Sequence, residues 1–334
     1  MGQAARPSAE EVAEFRRIIV ERDFPAFAEK YLRIQTKTEG LQPLVLWPVQ
    51  RDLWDRRTKE GIRRSLVLKY RQGGFSKLEL AISFFFAICN PDVNVLVMGH
   101  EKALPTEMLD VVRIFIEFMP ELARPGVARD IESEIYFGDL RSSIRVGSGA
   151  TVMEGAGAKL GRTIQRLHVT EAADPRWRDD ALNMLFQTVP LDSEIVVEST
   201  AKGARGWFYD ECQLALADRS TFELFFYEWW LHPEYRRRPP RGFEPNERER
   251  WLMANKGLTL EQAAFRRWKI AELRDEKAFL ELYPEDINTT FILSGAGYFD
   301  TESLRYQLET PGCVAGAAGV RGRIRRDSGS IAAF

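Results

Sequence analysis

The stretch LVLKYRQGGFSKLEL, residues 66–80, decides the fold that this sequence predicts. An apolar run typical of a buried β-strand leads into a pair of adjacent glycines, and a helical pattern begins directly after them. In a loop of this kind the backbone amides and the N-terminus of the helix converge on an anion, and the helix dipole adds favourable charge. The stretch therefore predicts a phosphate-binding loop between a strand and a helix.

This loop departs from the usual signature, G-x-x-x-x-G-K-[ST]. Gly74 and Ser76 match the last glycine and the hydroxyl residue, but Phe75 occupies the position of the lysine. Basic side chains come earlier instead, at Lys69 and Arg71. A glycine pair between a strand and a helix is a weak signal by itself, so the interpretation depends on the rest of the chain.

The composition is that of an ordinary globular protein. The chain has 334 residues, 45% hydrophobic and 29% charged, which is enough for one large domain or two moderate ones. With 47 basic and 49 acidic residues the formal charge is −2, which excludes a strongly basic protein that coats nucleic acid but allows a local basic patch. The polar N-terminus lacks the apolar core of a signal peptide. The longest apolar cluster, residues 81–89, is too short to span a bilayer, so no membrane association is expected.

The cysteines and histidines show no catalytic or metal-binding spacing. The three cysteines are far apart, which favours a reduced cytoplasmic protein with buried thiols. We expect structural roles for all of these residues: Cys89, Cys212, Cys313, His100, His168 and His232.

Strands alternating with helices are predicted along most of the chain, which indicates an α/β fold with a mostly parallel central sheet flanked by helices. Helical patterns occupy residues 1–35, 76–89, 101–119 and 258–275, and strand patterns occupy 65–69, 93–98, 135–137, 143–146, 167–170 and 195–198. The strands at 135–137 and 143–146 are expected to form a hairpin. Residues 236–250 are rich in proline and arginine and indicate an exposed linker, and the tail after residue 311 is expected to be poorly ordered.

An acidic residue follows the strand at 167–170, where P-loop ATPases carry their metal and water ligands. The hydroxyl of Thr170 can hold a magnesium-bound water, and Glu171 can polarise the attacking water. The alternative for Glu171 is a charge that only favours the N-terminus of a following helix.

These motifs, taken together and in order, resemble the large terminase subunits of tailed bacteriophages, the ATP-driven motors that pump DNA into proheads. The resemblance covers roughly residues 40–305. It lies in the loop Lys69-x-Arg71-Gln72-x-Gly74-x-Ser76, in Thr170-Glu171-Ala172-Ala173, in Glu198-Ser199-Thr200-Ala201-Lys202-Gly203 with Gly206-Trp207-Phe208-Tyr209, and in residues 226–235 and 282–300.

The resemblance implies an additional-strand (ASCE) P-loop ATPase core with a small lid subdomain. The strand at 93–98 would be the additional strand between the phosphate loop and the acidic strand. Four regions are expected: an N-terminal helical segment, an ATPase core, a lid and linker, and a flexible tail, at residues 1–40, 41–210, 211–305 and 306–334.

The resemblance also assigns roles to single residues, with ATP and Mg²⁺ as the cofactors. Lys69 and Arg71 would neutralise phosphate charge, Arg71 as a finger within its own subunit, although Lys69 could be a solvated lysine at a strand end. Gly161-Arg162 resembles a glycine–arginine element of the family, and Arg162 would be a finger directed at a neighbouring subunit. Lys159, Arg166 and other arginines are alternative candidates for that role. The remaining assignments are nucleotide contacts at Gln50 (adenine), Arg71, Gln72, Gly73, Gly74, Phe75, Ser76 and Lys77, magnesium ligands at Ser76, Thr170 and Glu171, and coupling residues at Ser199, Thr200 and Ala201.

Further assignments keep a structural alternative open. The residues Ser199, Thr200 and Ala201 could form a polar turn from strand to loop without sensing phosphate. Ser76 could also cap its helix. Trp47 and Trp54 favour the core over base stacking. The basic run of Arg236, Arg237, Arg238 and Arg241 is either a solvated loop or a contact to the DNA backbone that would make binding salt-dependent.

The function implied by the resemblance is packaging of double-stranded DNA in the cytoplasm of an infected bacterial host. Its partners would be DNA, the portal of the prohead, the small terminase subunit and further copies in a homo-oligomeric ring, with a monomer when free. The chain ends 34 residues after Asp300, so no nuclease activity is expected, whether the chain is the motor half of a longer protein or a natural short form. The alternatives are a non-catalytic adaptor that docks to portal or DNA, and a helicase-like NTPase.

Overall fold

The structure is a computed structural model that describes residues 7–36, 39–101, 103–149 and 162–294. Gly161, Cys313 and the predicted tail lie outside these residues, as does the end of the motif at 282–300. The chain divides into two compact units. The first unit contains Met1–Arg64 and Gly74–Glu198, and the second contains Ser65–Gly73 and Ser199–Phe334.

Helices and strands alternate along the described residues, as the sequence predicts. In chain order the elements are α1 (Ala9–Glu21), α2 (Phe24–Tyr31), β1 (Arg33–Gln35), β2 (Leu41–Pro43), α3 (Pro48–Glu60), β3 (Arg64–Leu68), α4 (Phe75–Cys89), β4 (Asn94–Gly99), α5 (Ala103–Phe118), β5 (Val127–Ile131), β6 (Glu134–Phe137), β7 (Ser142–Ser148), β8 (Arg166–Thr170), α6 (Asp179–Phe186), β9 (Glu194–Ser199), α7 (Trp207–Leu216), β10 (Glu223–Phe226), a 3₁₀ turn (Trp229–Leu231), α8 (Glu247–Lys256), α9 (Leu260–Leu273), α10 (Glu276–Leu282) and α11 (Ile287–Ser294).

The first unit is built on a mostly parallel sheet with the strand order β9-β8-β4-β7-β6-β5. The pairs β9–β8, β8–β4 and β4–β7 are parallel, whereas β7, β6 and β5 form an antiparallel meander. Strands β4 and β8 are buried over nearly their whole length, as expected for parallel strands covered on both faces. The predicted α/β class and the β6–β7 hairpin are confirmed. Strand β5 was not predicted, because its exposed residues carry no apolar pattern.

In the second unit β3 pairs in parallel with β10, from Ser65 opposite Glu223 to Leu68 opposite Phe226. Strand β10 was not predicted from the sequence. Helices α8 to α11 follow it, and α9 matches the predicted helix at 258–275.

The predicted position of the additional strand was wrong. Strand β8 lies between β4 and β9. The N–H of Ile195 in β9 donates to the carbonyl of Arg63 at 2.8 Å, and the N–H of Lys69 donates to the carbonyl of Ser199 at 3.0 Å. Strand β9, and not the strand at 93–98, is therefore bonded to the residues that flank β3, within each unit. Strand order along a sequence does not fix order in a sheet, because a crossover connection can pass over a neighbour.

Two local predictions also need correction. The predicted N-terminal helical segment ends in strand β1, where Ile34 pairs with Gln42 of β2. The predicted linker at 236–250 ends in helix α8. Asn246 and Glu249 exchange two hydrogen bonds of 2.8 Å that form a capping box, a signal hidden by the proline and arginine residues before it.

A buried ionic network connects α3, α4 and β8 in the first unit. Glu79, fully buried in the mostly apolar α4, accepts hydrogen bonds from Arg57 at 2.8 Å and from Arg166 at 2.7 Å. Arg166 also pairs with Glu194. Burial lowers the pKa of Arg166 to about 9, which leaves the guanidinium charged at neutral pH. The network fixes the helix that follows the glycine loop onto the strand that carries Glu171.

Replacing Arg57 by leucine is expected to lower the free energy of unfolding by about 1–3 kcal/mol, because Glu79 loses one of its two charged partners. Arg166 still neutralises the carboxylate, which limits the loss. Urea denaturation measures the change. The control is Arg51→Leu on the same helix, whose surface pair with Asp55 contributes at most about 1 kcal/mol. Equal urea midpoints for the two variants would contradict the prediction.

No helix in the described part of the chain combines the length and the apolar character that a membrane span requires.

Candidate nucleotide-binding site

Glycine is required at position 74, where the loop enters α4. Gly74 has a φ of +70°, in the left-handed region, and a Cβ built on it would lie 2.8 Å from Nε2 of Gln50. Helix α4 begins directly after it, at Phe75. The first N–H groups of a helix have no intrahelical acceptor, so this helix start is suited to an anion. Ser76 lies inside the first turn and is not the cap, because Gly74 takes that position.

The preceding part of the loop belongs to the second unit. Lys69 follows the last residue of β3 and is only 5% exposed, which argues against the solvated lysine. Arg71 and Gln72 are exposed, and Gln72 has a φ of 58°. A left-handed backbone at a residue other than glycine is uncommon and turns the chain sharply. Lys69 is thus held at the strand end while the following residues turn outward.

Glu171 lies directly after β8 and is also left-handed, with a φ of 52°. Its side chain is half-buried. Residues held in sparsely populated backbone conformations cluster at functional sites, where the surrounding structure maintains the strain. The N–H of Asp174 donates to the carbonyl of Glu171 at 3.0 Å and closes the turn. The structure therefore fixes Glu171 in a turn directly after the strand, and its catalytic role stays a prediction.

Thr170 is buried and donates a hydrogen bond of 2.6 Å to Oε1 of Glu198. His168 lies on the same strand, with Nε2 at 3.4 Å from the same carboxylate oxygen. The structure therefore joins the predicted magnesium ligand Thr170 to the strand that ends in the coupling residues. Glu198 lies at the start of the predicted coupling motif, and no role was predicted for it. A carboxylate inside an apolar strand, in the run EIVVES, was the signal that could have identified it.

The predicted coupling residues Ser199, Thr200 and Ala201 are all buried. The Ser199 carbonyl accepts the bond from the N–H of Lys69 described above, so the structure brings the coupling motif and the phosphate-loop lysine together within the second unit. Lys202 follows the motif and pairs with Glu281 at 3.0 Å.

Gln50 is 5% exposed, and its Oε1 accepts a hydrogen bond of 3.0 Å from the N–H of Trp47 at the start of α3. Its Nε2 is directed at Gly74. The structure therefore places Gln50 beside the glycine loop, although the predicted contact to adenine stays a prediction.

The side chains of Lys77 and Arg162 contact groups outside the glycine loop. Nζ of Lys77 lies 3.5 Å from the carbonyl of Gln35. Arg162 is exposed and pairs with Glu134 at 3.2 Å. It precedes β8 whereas Glu171 follows it, so the two residues lie at opposite ends of this strand. The structure does not bring Arg162 to Glu171 within this unit.

The predicted basic run is exposed, and Arg237 stacks over the ring of Trp268 at 4.7 Å from its centroid. Trp54 packs at 5.0 Å from Phe24, which agrees with a place in the core. Cys89, Cys212, His168 and His232 are buried.

Among the described residues, no group of three or more His, Cys, Asp or Glu side chains could hold a metal ion alone. Magnesium in nucleotide sites is typically bound by substrate phosphates and only one or two protein oxygens. The hydroxyl of Ser76 in the first turn of α4 and the carboxylate of Glu171 fit that donor set.

The fold is similar to solved structures of phage proteins, whereas no protein-family model matches the sequence. The large terminase of bacteriophage HK97 matches over 78% of this chain and 54% of its own, with a TM-score of 0.57 and 15% identity. A mutant of the large terminase ATPase domain of Thermus phage P74-26 matches over 70% and 91%, with a TM-score of 0.45 and 18% identity. The UvsW helicase of bacteriophage T4 matches over 62% and 67%, with a TM-score of 0.41 and 15% identity.

The strand, glycine loop and helix, together with the mostly parallel sheet, define a P-loop fold. More narrowly, the fold is similar to that of the HK97 large terminase, in agreement with the motif resemblance. This chain spans about half, 54%, of the HK97 large terminase.

Proposed function

We propose that this chain is a magnesium-dependent ATPase that drives viral DNA packaging. The observation that carries the proposal is Gly74, whose left-handed backbone and contact with Gln50 shape a loop at the start of α4. That geometry is suited to a polyphosphate. The fold shared with the HK97 large terminase supports the choice of a packaging ATPase among P-loop proteins.

In this proposal the loop amides from Gln72 to Lys77 bind the phosphates of ATP. Lys69 neutralises the β- and γ-phosphate oxygens, and the guanidinium of Arg71, exposed in this structure, stabilises charge that develops during transfer. Gln50 reads the adenine edge, since a carboxamide can both donate and accept. Bound Mg²⁺, which Ser76, Thr170 and Glu171 would hold, would neutralise the charge that develops on the phosphates.

Glu171 is the group that orients and polarises the attacking water. Ser76 and Thr170 are the hydroxyl donors for the metal and its water, and Thr170 is held in place by Glu198. Ser199, Thr200 and Ala201 sense the γ-phosphate from the end of β9. Arg162 serves a neighbouring subunit, which agrees with its exposed position away from Glu171.

The partners in the proposal are double-stranded DNA, the portal of a prohead, a small terminase subunit and further copies in a ring, in the cytoplasm of an infected bacterium. The exposed run of Arg236, Arg237, Arg238 and Arg241 is the candidate contact to the DNA backbone. Neutralising phosphates releases counterions, so DNA affinity should fall steeply as salt rises.

The test is single-turnover hydrolysis of labelled ATP at high protein concentration, with and without EDTA. We expect phosphate release that requires divalent metal. Absence of both release and calorimetric nucleotide binding would contradict the proposal and favour an adaptor that docks without catalysis. Unwinding of a labelled duplex with ATP would favour a helicase-like enzyme instead.

A further inference from the structure

The backbone of Arg71 in the glycine loop is hydrogen-bonded on both sides to distant segments of the second unit. Its N–H donates to the carbonyl of Leu282 at 2.7 Å. Its carbonyl accepts a hydrogen bond of 2.5 Å from the hydroxyl of Tyr235. Both bonds use the main chain of Arg71, and its guanidinium takes no part in them. A loop residue held in this way by two distant segments has little freedom to change its peptide planes.

Tyr235 is itself held rigidly. Its ring stacks on His232, with centroids 3.9 Å apart and planes at 15°, and on Phe265, at 5.0 Å and 9°. Tyr70, directly before Arg71, contacts the edge of the same ring at 5.8 Å. Burial raises the pKa of Tyr235 well above its usual range, so its hydroxyl stays protonated and remains a donor.

A second contact joins the C-terminal end of α10, which contains Leu282, to the segment directly after the coupling motif. Glu281 and Leu282 are the last residues of α10. Glu281 pairs with Lys202 directly after the motif, and Leu282 accepts the bond from Arg71. The end of α10 is therefore bonded both to the phosphate loop and to the segment that follows the coupling residues.

We propose that Tyr235 is a positioning residue that fixes the carbonyl of Arg71, and that through it the phosphate loop and the end of α10 are energetically coupled. The coupling to nucleotide rests on the proposed ATPase function. A loop that is already shaped before the ligand arrives avoids the entropy cost of ordering on binding. Because such coupling is reciprocal, nucleotide in the loop should stabilise the segment around Leu282.

Tyr235→Phe removes the hydroxyl and keeps the ring. Loss of one hydrogen bond to the loop is expected to raise the KM for ATP by about 2- to 12-fold, while kcat changes less. The matched control is Tyr283→Phe, in the same aromatic cluster at 5.3 Å from Tyr235. The hydroxyl of Tyr283 interacts with Lys269, so its removal should leave the KM unchanged.

Hydrogen exchange of the whole chain separates this inference from the proposed function. Without nucleotide, Tyr235→Phe should accelerate exchange of the Arg71 amide, and Tyr283→Phe should not. With ADP, the segment around Leu282 should be protected in the wild type and less so in Tyr235→Phe. If ADP protects nothing in the wild type, the ATPase proposal fails, while exchange at Arg71 still decides whether Tyr235 positions the loop. Equal exchange and equal KM in both variants would overturn the inference.

Discussion

Replacing Glu171 by glutamine is expected to lower kcat for ATP hydrolysis by at least about 100-fold while ATP still binds. Glutamine keeps the shape of the side chain and loses the negative charge that polarises water. The left-handed backbone at Glu171 does not depend on the side-chain charge, so the turn closed by Asp174 should persist. Binding should persist as well, because the phosphates are held by the loop and not by this carboxylate.

The measurement is single-turnover phosphate release beside calorimetric ATP binding. Asp180→Asn is the matched control. It makes the same change of charge on an exposed carboxylate that pairs with Arg178 at the surface, and it should leave both values unchanged. Hydrolysis by Glu171→Gln at the wild-type rate would remove Glu171 from the chemistry and would return it to a helix-end charge.

Much of the first unit was predictable because its signals are local. Buried parallel strands such as β4 and β8 are continuous apolar runs. The glycine loop was predictable for a similar reason, since only glycine combines the backbone of Gly74 with the approach of Gln50. The exposed strand β5 lacks such a pattern and was missed.

The contacts that were not predictable join residues far apart in sequence. No local pattern indicates that Ile195 bonds to Arg63, that Tyr235 bonds to Arg71, or that Thr170 bonds to Glu198. Glu79 is an intermediate case. A single carboxylate in the apolar run of α4 predicts that it is paired, but not that Arg166 is its partner. Candidate functional residues within one segment could be predicted from the sequence. The hydrogen bonds that position them join distant segments and could be found only in the structure.

The largest effect on binding is expected from Lys69→Met, which removes the ammonium and keeps an apolar stem of similar length. A positive charge aimed at the phosphates acts both on bound ATP and on the transition state, so kcat/KM should fall by about 100-fold or more. Lys69 is almost fully buried, and an apolar replacement that fills the same space avoids a cavity. Its bond to Ser199 uses the backbone N–H, which the substitution leaves in place.

The informative comparison is Lys77→Met, because Lys69 and Lys77 are the two candidates for the function of the signature lysine, whose position Phe75 occupies. Lys77 is exposed and directed at the carbonyl of Gln35, and screening by solvent keeps the contribution of such a charge below about 1 kcal/mol. ATP titrations and kcat/KM for both variants, with thermal melts to verify folding, decide the assignment. A greater loss in Lys77→Met would place the catalytic lysine after the glycines and would reduce Lys69 to a structural residue at the end of β3. A greater loss in Lys69→Met would show that this buried lysine at the strand end has the function that the signature assigns to the position of Phe75.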